Sequence, residues 1–159
     1  MRRADREVKD FSEIIRILDG CNTIHLALCL DNKPYSVPIN FGYIVEADNK
    51  LSIYLHGAKE GRKHTMLEQN PNVSFSGIAF EKFFGSDETQ RYTTHYQSII
   101  GEGKISIINA LEEKVKGLNL LMKHCGFKES HSYPQQALEA VRVLKIEVET
   151  IAGKQNGIF

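Results

Sequence analysis

Three cations stand close together in the middle of the chain: Lys59, Arg62 and Lys63. The apolar residues that follow predict a helix starting at Lys59, which Pro71 would end. The cations would then lie at positions i, i+3 and i+4 on one helix face. A helix N-terminus carries a partial positive charge, so cations there are unfavourable unless an anion offsets them. A phosphate would do so, because the free backbone N–H groups of a first helical turn also bind anions.

The alternative interpretation is a basic helix face that contacts only solvent. The segment also lacks the spacing of a nucleotide-binding P-loop, so it is not a Walker motif. Residues 51–56 precede the cations and alternate apolar with polar, which predicts a half-buried strand ended by Gly57. His56 would stand at the end of this strand, either as a site residue or as a hydrogen-bonded histidine without a function.

The composition excludes several classes of protein. The chain has 159 residues, which predicts a single domain over residues 1–159. Its 20 basic residues balance 20 acidic ones, which argues against a protein built mainly to bind nucleic acid. No run approaches the roughly 18 apolar residues of a membrane span, and the charged N-terminal residues do not resemble a signal peptide. We therefore expect a soluble, cytoplasmic protein with no nucleic-acid or membrane partner.

Cys21, His25 and Cys29 are spaced four residues apart and could suggest a metal site. If this segment is a strand, however, its two cysteines lie about 26 Å apart and cannot share one ion. We therefore predict no metal and interpret the cysteines as small buried side chains.

The elements that must position these residues are mostly strands. Six are predicted, at residues 24–30, 35–43, 51–56, from Val73, 94–108 and 141–151, with an irregular region at residues 80–92. Single helices separate some of them: one capped by Asp10, the basic helix, one beginning at Asn109, and a short segment at residues 136–140. This order predicts a mainly β fold, a six-stranded antiparallel barrel with helices packed outside.

Two strands contain residues that strands usually avoid. Pro38 cannot donate to a sheet ladder, so it requires a sheet edge, a bulge or a ligand on that side. Gly101 and Gly103 leave two gaps on one face of a long strand, which predicts a bulge or room for another backbone or ring.

Two sequence blocks resemble a known family. Residues 34–43 read P-Y-S-V-P-I-N-F-G-Y and residues 55–63 read L-H-G-A-K-E-G-R-K. Together with residues 1–7 and 96–104, they resemble the nitroimidazole-resistance branch of the pyridoxamine 5′-phosphate oxidase-like proteins. The resemblance covers nearly the whole chain.

The resemblance implies a split β-barrel that binds FMN at a homodimer interface. The strand around Pro38 would run along the flavin ring, the basic segment would hold the phosphate, and Ser98 would add contacts, including contacts across the dimer. His56 would lie near the ring or the ribityl chain and is the one candidate catalytic residue. The implied cofactor-binding residues are Val37, Pro38, Ile39, Asn40, Phe41, His56, Ala58, Lys59, Gly61, Arg62, Lys63 and Ser98.

The resemblance further implies an FMN-dependent oxidoreductase, a reductase or oxidase that transfers electrons through the flavin. The sequence does not specify the electron donor, for which NADH and NADPH are the candidates. The alternative is a non-catalytic flavin- or heme-binding protein, for storage or sensing, in which His56 could be an axial heme ligand.

Overall fold

The computed structural model describes residues 3–87, 91–157 and 159. The described strands are β1 (Glu7–Val8), β2 (Ile24–Leu30), β3 (Lys33–Ile39), β4 (Phe41–Val45), β5 (Leu51–Ala58), β6 (Asn72–Ser86), β7 (Arg91–Ile108) and β8 (Val141–Asn156). The described α-helices are α1 (Phe11–Asp19), α2 (Arg62–Gln69), α3 (Leu111–His124) and α4 (Gln135–Ala140). Two single 3-10 turns occupy Ala4–Arg6 and Ala47–Asn49.

The strands form one antiparallel sheet in the order β3-β2-β6-β7-β8-β5-β4, with β1 paired to β8. The outermost strands, β3 and β4, are linked by the single residue Asn40. Consecutive Cα atoms are only about 3.8 Å apart, so the two ends of the sheet must curl round until they meet. The mainly β antiparallel barrel predicted from the sequence is confirmed.

The number of strands differs from the predicted six. The segment predicted as one strand at residues 35–43 is two strands, because the chain passes from one end of the sheet to the other at Asn40. The short strand β1 adds the eighth. The region at residues 80–86, predicted to be irregular, continues β6 and pairs with β7 from Arg91 onwards.

Helix α3 covers the outer face of β4 and β5. An added Cβ at Gly42 would lie 2.3 Å from the backbone of Leu120 and Leu121, and one at Gly117 would lie 2.7 Å from the Tyr54 ring. This close packing buries both faces of β5, since Ser52 and Tyr54 are as inaccessible as the alternating leucines. The predicted half-buried pattern of β5 was therefore wrong.

Other local predictions are confirmed. Asp10 caps α1 by accepting a hydrogen bond from the Glu13 N–H at 3.0 Å. The missing side chain of Gly101 leaves room for the Phe75 ring, and that of Gly103 leaves room for the Glu147 carbonyl. The register of β7 against β8 also shifts beside Gly103, as expected for a bulge.

No helix in the described ranges is long and apolar enough to cross a membrane.

Candidate functional site

The basic segment begins its helix later than the sequence pattern predicted. Strand β5 continues through Gly57 to Ala58, and α2 starts only at Arg62. Gly61 occupies the N-cap position with φ of 127°, a conformation that other residues rarely adopt, and it separates the loop from the helix. Lys59 therefore lies in the loop before α2, and the predicted placement of three cations on one helix face was wrong.

Glu60 directly precedes the N-cap of α2, but the helix has no acidic residue of its own at its start. Gly61 supplies no side-chain cap, and the first turn contains no acidic residue. Among the residues that the structure describes, no carboxylate forms an ion pair with Lys59, Arg62 or Lys63. Two cations at the positive end of the helix dipole are thus left without a counterion from the described part of the chain.

Lys63 turns back towards the end of β5. Its Nζ lies 2.6 Å from the point where a Cβ of Gly57 would stand, so the ammonium occupies the space that the glycine leaves open. The side chain is half-buried, and burial lowers the pKa of the ammonium below its usual value. The missing side chain of Gly57 therefore leaves room for the Lys63 ammonium at the end of β5.

His56 is exposed and directly precedes Gly57 in the chain. Partial burial of its ring lowers the pKa of the imidazole, and the charge of Lys63 lowers it further. Because an ordinary histidine has a pKa of about 6.5, His56 is mostly neutral at pH 7 and carries one donor and one acceptor nitrogen.

Arg62 connects the start of α2 to the edge strand β3. Its guanidinium carbon lies 4.7 Å from the centroid of the Tyr35 ring, within the range of a cation–π contact. Tyr35 belongs to the block that carries the family resemblance. The contact places Arg62 beside β3, the strand that was predicted to run along a flavin ring.

Strand β3 is an edge strand, paired among the described residues only with β2. Pro38 pairs in register with His25 and is exposed, which confirms that this proline requires an edge. Val37 and Ile39 alternate with it and are partly buried against the core. The free edge of β3 is therefore open to a ligand alongside Pro38.

Asn40 and Phe41 follow β3 and differ in exposure. The exposed Asn40 donates a hydrogen bond from its Nδ2 to the Asn22 carbonyl at 3.2 Å. The Phe41 side chain is fully buried, so only its backbone could contact a ligand. Phe41 pairs with Leu55, which places Asn40 opposite His56.

Ala58 and Ser98 complete the predicted set. Ala58 is exposed at the end of β5, one residue before Lys59. Ser98 lies on β7, between Ile78 of β6 and Lys154 of β8. Strand β7 pairs with neither β3 nor β5, and β8 separates it from β5, the strand that leads to the cations.

His64 was given no role from the sequence, yet it is buried inside the first turns of α2. Neither ring nitrogen has a hydrogen-bond partner among the described residues. Burial lowers the pKa of the imidazole, although the nearby Ala58 backbone partly offsets the effect. A buried, unpaired histidine of this kind is disfavoured in its charged form.

The described residues contain no group of three side chains that could hold a metal ion. Cys21 is buried as expected, and burial raises the pKa of its thiol to about 11. Cys29 and Cys125 are exposed, so the prediction of a buried Cys29 was wrong. Cys29 lies on the solvent-facing side of β2, where the pattern of burial alternates.

The sequence profile of the family described as pyridoxamine 5′-phosphate oxidase matches residues 10–155. The chain belongs to this family. A search of curated proteins finds no match. A solved structure of a candidate 5-nitroimidazole antibiotic resistance protein from Bacteroides thetaiotaomicron is 32% identical, with a TM-score of 0.80 over 93% of this chain and 85% of that chain. The resemblance to the nitroimidazole-resistance branch is thereby confirmed.

Two more distant structures share the fold. The FAD and heme binding protein from Mycobacterium smegmatis has a TM-score of 0.82 at 17% identity, over 97% of this chain and 75% of that chain. The flavocytochrome Anf3 from Azotobacter vinelandii has a TM-score of 0.80 at 17% identity, over 99% of this chain and 72% of that chain. The pyridoxamine 5′-phosphate oxidase-like split-barrel fold is thus established for this chain.

Proposed function

We propose that this chain is an FMN-dependent oxidoreductase, a reductase or oxidase of the nitroimidazole-resistance type that accepts electrons from NADH or NADPH. The observation that carries the proposal is the uncapped start of α2, where Arg62 and Lys63 form no ion pair with a carboxylate of the described residues. A phosphate dianion would offset both charges and accept hydrogen bonds from the free N–H groups of the first turn. The family membership and the flavin-binding neighbours support a flavin as the molecule that carries this phosphate.

The residues around the phosphate position fit such a ligand. Arg62, steadied by its contact with Tyr35, can bind phosphate oxygens in a bidentate manner. Lys63 would donate from the space above Gly57, and Lys59 would approach from the loop. The open edge of β3 at Pro38 would then lie beside the flavin ring, whose hydrogen-bonding groups could pair with the backbone there.

A bound flavin would supply the hydride and electron transfer itself. The protein contributes position and charge. His56 is mostly neutral, so it can donate one hydrogen bond to a group at the ring or accept a proton there. The positive charge of Lys63 would favour negative charge on the part of a bound flavin that lies next to it.

We also propose that the protein is a homodimer with the flavin at its interface. Ile78 and Ile100 are more than half exposed, and Phe83 and Tyr92 of the same two strands are more exposed still. A large apolar surface of this kind is typical of a protein interface. Ser98 pairs with Ile78 and shares a face with Ile100, so a second copy covering this surface would meet Ser98 directly.

A cytoplasmic location would supply the proposed nicotinamide donors.

The alternative function is non-catalytic binding of a flavin or heme. Two neighbours, a flavocytochrome and an FAD and heme binding protein, support this alternative. An exposed, mostly neutral imidazole such as that of His56 is also a suitable axial ligand for heme iron.

The absorbance spectrum of the untreated purified protein tests these proposals first. Flavin bands support the FMN site, whereas a Soret band would favour heme. Anaerobic titration with NADH and NADPH then tests for catalysis. If the flavin-loaded protein is reduced by neither donor and turns over no acceptor, the oxidoreductase proposal is wrong and the binding function remains.

A further inference from the structure

A pocket of about 360 Å³ lies beyond His56, where helices α3 and α4 cover the ends of β5 and β8. Its walls are mainly apolar and include Leu118 and Met122 of α3 and Ala137 of α4. Asn40 and His56 form its polar end. The volume is at the lower end of the roughly 300–1,000 Å³ typical of small-molecule pockets, so the ligand must be small.

The wall formed by the segment between α3 and α4 is anchored to α3. The Asn119 amide donates to the His131 carbonyl at 3.3 Å and accepts from the His131 N–H at 2.8 Å. Its Oδ1 also accepts a hydrogen bond from the Tyr133 hydroxyl at 3.2 Å. Three hydrogen bonds to one side chain therefore hold Tyr133 where its ring lines the pocket.

The polar end of the pocket offers both hydrogen-bond donors and acceptors. One N–H of Asn40 is occupied by the Asn22 carbonyl, which leaves the rest of its amide available. His56 carries a single ring N–H in its neutral form and can donate it. The pocket has no charged side chain among its lining residues, so an ionised ligand would lose hydration without compensation.

The pocket and the proposed phosphate site meet at His56. Lys63 interacts with the His56 ring from the side of α2, while the pocket opens on it from the side of α3. Two other clefts are less suitable. One of about 450 Å³ lies at the exposed end of the β6–β7 hairpin, and one of about 540 Å³ lies beside His124, and neither is lined by His56 or by a residue of α2.

We propose that this pocket binds the electron acceptor: a small, uncharged, largely apolar molecule with a polar group that hydrogen-bonds with His56 or Asn40. The inference rests on the proposed flavin-dependent function, because only a flavin held by α2 gives an acceptor beside His56 a source of electrons. Leu118 and Met122 would then determine which sizes of acceptor enter.

Binding of a naphthoquinone tests the pocket. Menadione (2-methyl-1,4-naphthoquinone) has two fused rings and carbonyl oxygens, and its affinity for the FMN-loaded protein can be measured by equilibrium dialysis. The Met122→Trp variant places a larger side chain in the pocket. The matched control, Leu111→Trp, adds the same group on α3 at a position that is 59% exposed and outside the pocket.

We expect Met122→Trp to weaken menadione binding by about tenfold or more, a loss of about 1.4 kcal/mol or more. Its FMN affinity, measured by fluorescence titration, should stay that of the unmodified protein. Leu111→Trp should change neither quantity. If Met122→Trp does not fold, Leu118→Phe serves as the second variant, with the same expected result.

Two outcomes would overturn the proposal. One is menadione affinity that is absent from the unmodified protein or equal in all variants. The other is a loss of FMN affinity in Met122→Trp, since the pocket would then hold the flavin ring and not the acceptor. Failure of the unmodified protein to bind any flavin would instead refute the proposed function, and dialysis of the flavin-free protein would still report on the pocket.

Discussion

Replacing Lys63 with methionine should weaken FMN binding without damaging the fold. Methionine keeps most of the methylene packing of the lysine stem but removes the ammonium that stands 2.6 Å from the Cβ position of Gly57. In the flavin-free protein this ammonium is half-buried, and burial lowers its pKa. Its charged form is therefore a cost of folding, so we expect the variant to be as stable as the unmodified protein or more stable.

The expected loss of affinity follows from the hydrogen bonds that the ammonium would donate to phosphate. A hydrogen bond to a charged group contributes about 1.5–3 kcal/mol. At about 1.4 kcal/mol per tenfold change, the dissociation constant for FMN should rise roughly 10- to 150-fold. Fluorescence titration of flavin-free protein with FMN measures this constant, and urea denaturation measures the stability.

Lys116→Met is the matched control, because Lys116 is an exposed lysine on α3, distant in sequence from α2. Its FMN affinity should be unchanged. Equal affinities in the two variants would refute the assignment of Lys63 to the phosphate. A large fall in the stability of Lys63→Met would refute the argument that its charge is held at a cost.

Three further predictions concern stability, and the last also concerns FMN binding. The pKa of His64 in the folded protein lies below its ordinary value, so the unfolded chain binds the proton more tightly. The free energy of unfolding should therefore fall as the pH drops below about 6.5. His64→Gln should reduce this fall, as measured by urea midpoints from pH 7.5 to 5. An unchanged pH dependence in that variant would contradict the assignment. Gly42→Ala should lower the free energy of unfolding by about 1–3 kcal/mol or more, because the new Cβ meets rigid backbone of α3. Gly57→Ala should cost little stability, because the new Cβ displaces only the flexible end of Lys63, but it should weaken FMN binding. If urea titrations show a larger loss of stability for Gly57→Ala than for Gly42→Ala, this reasoning is wrong.

Some features of the fold could be predicted because they depend on neighbouring residues. The cap that Asp10 provides for α1 needs only the next turn of the helix, and the space at Gly101 and Gly103 follows from the missing side chains. The edge position of Pro38 is similarly a consequence of its missing N–H.

The errors occurred where distant parts of the chain decide the outcome. Tyr54 belongs to a polar-looking face of β5 but is fully buried, because α3 packs onto it through Gly117. The start of α2 moved from Lys59 to Arg62, since β5 continues through Gly57 to pair with β8 and Gly61 then redirects the chain. A local sequence pattern does not show which strand pairs with another or which helix packs on it.

Residue types and their spacing were enough to predict the basic segment, the proline in a strand and the family. They could not show that Lys63 turns back into the space left by Gly57, that Arg62 lies on Tyr35, or that His56 stands between the cations and an apolar pocket. These contacts join β3, β5, α2 and α3, which the curled sheet brings together, and pairwise distances between separate elements are set by packing and not by spacing along the chain.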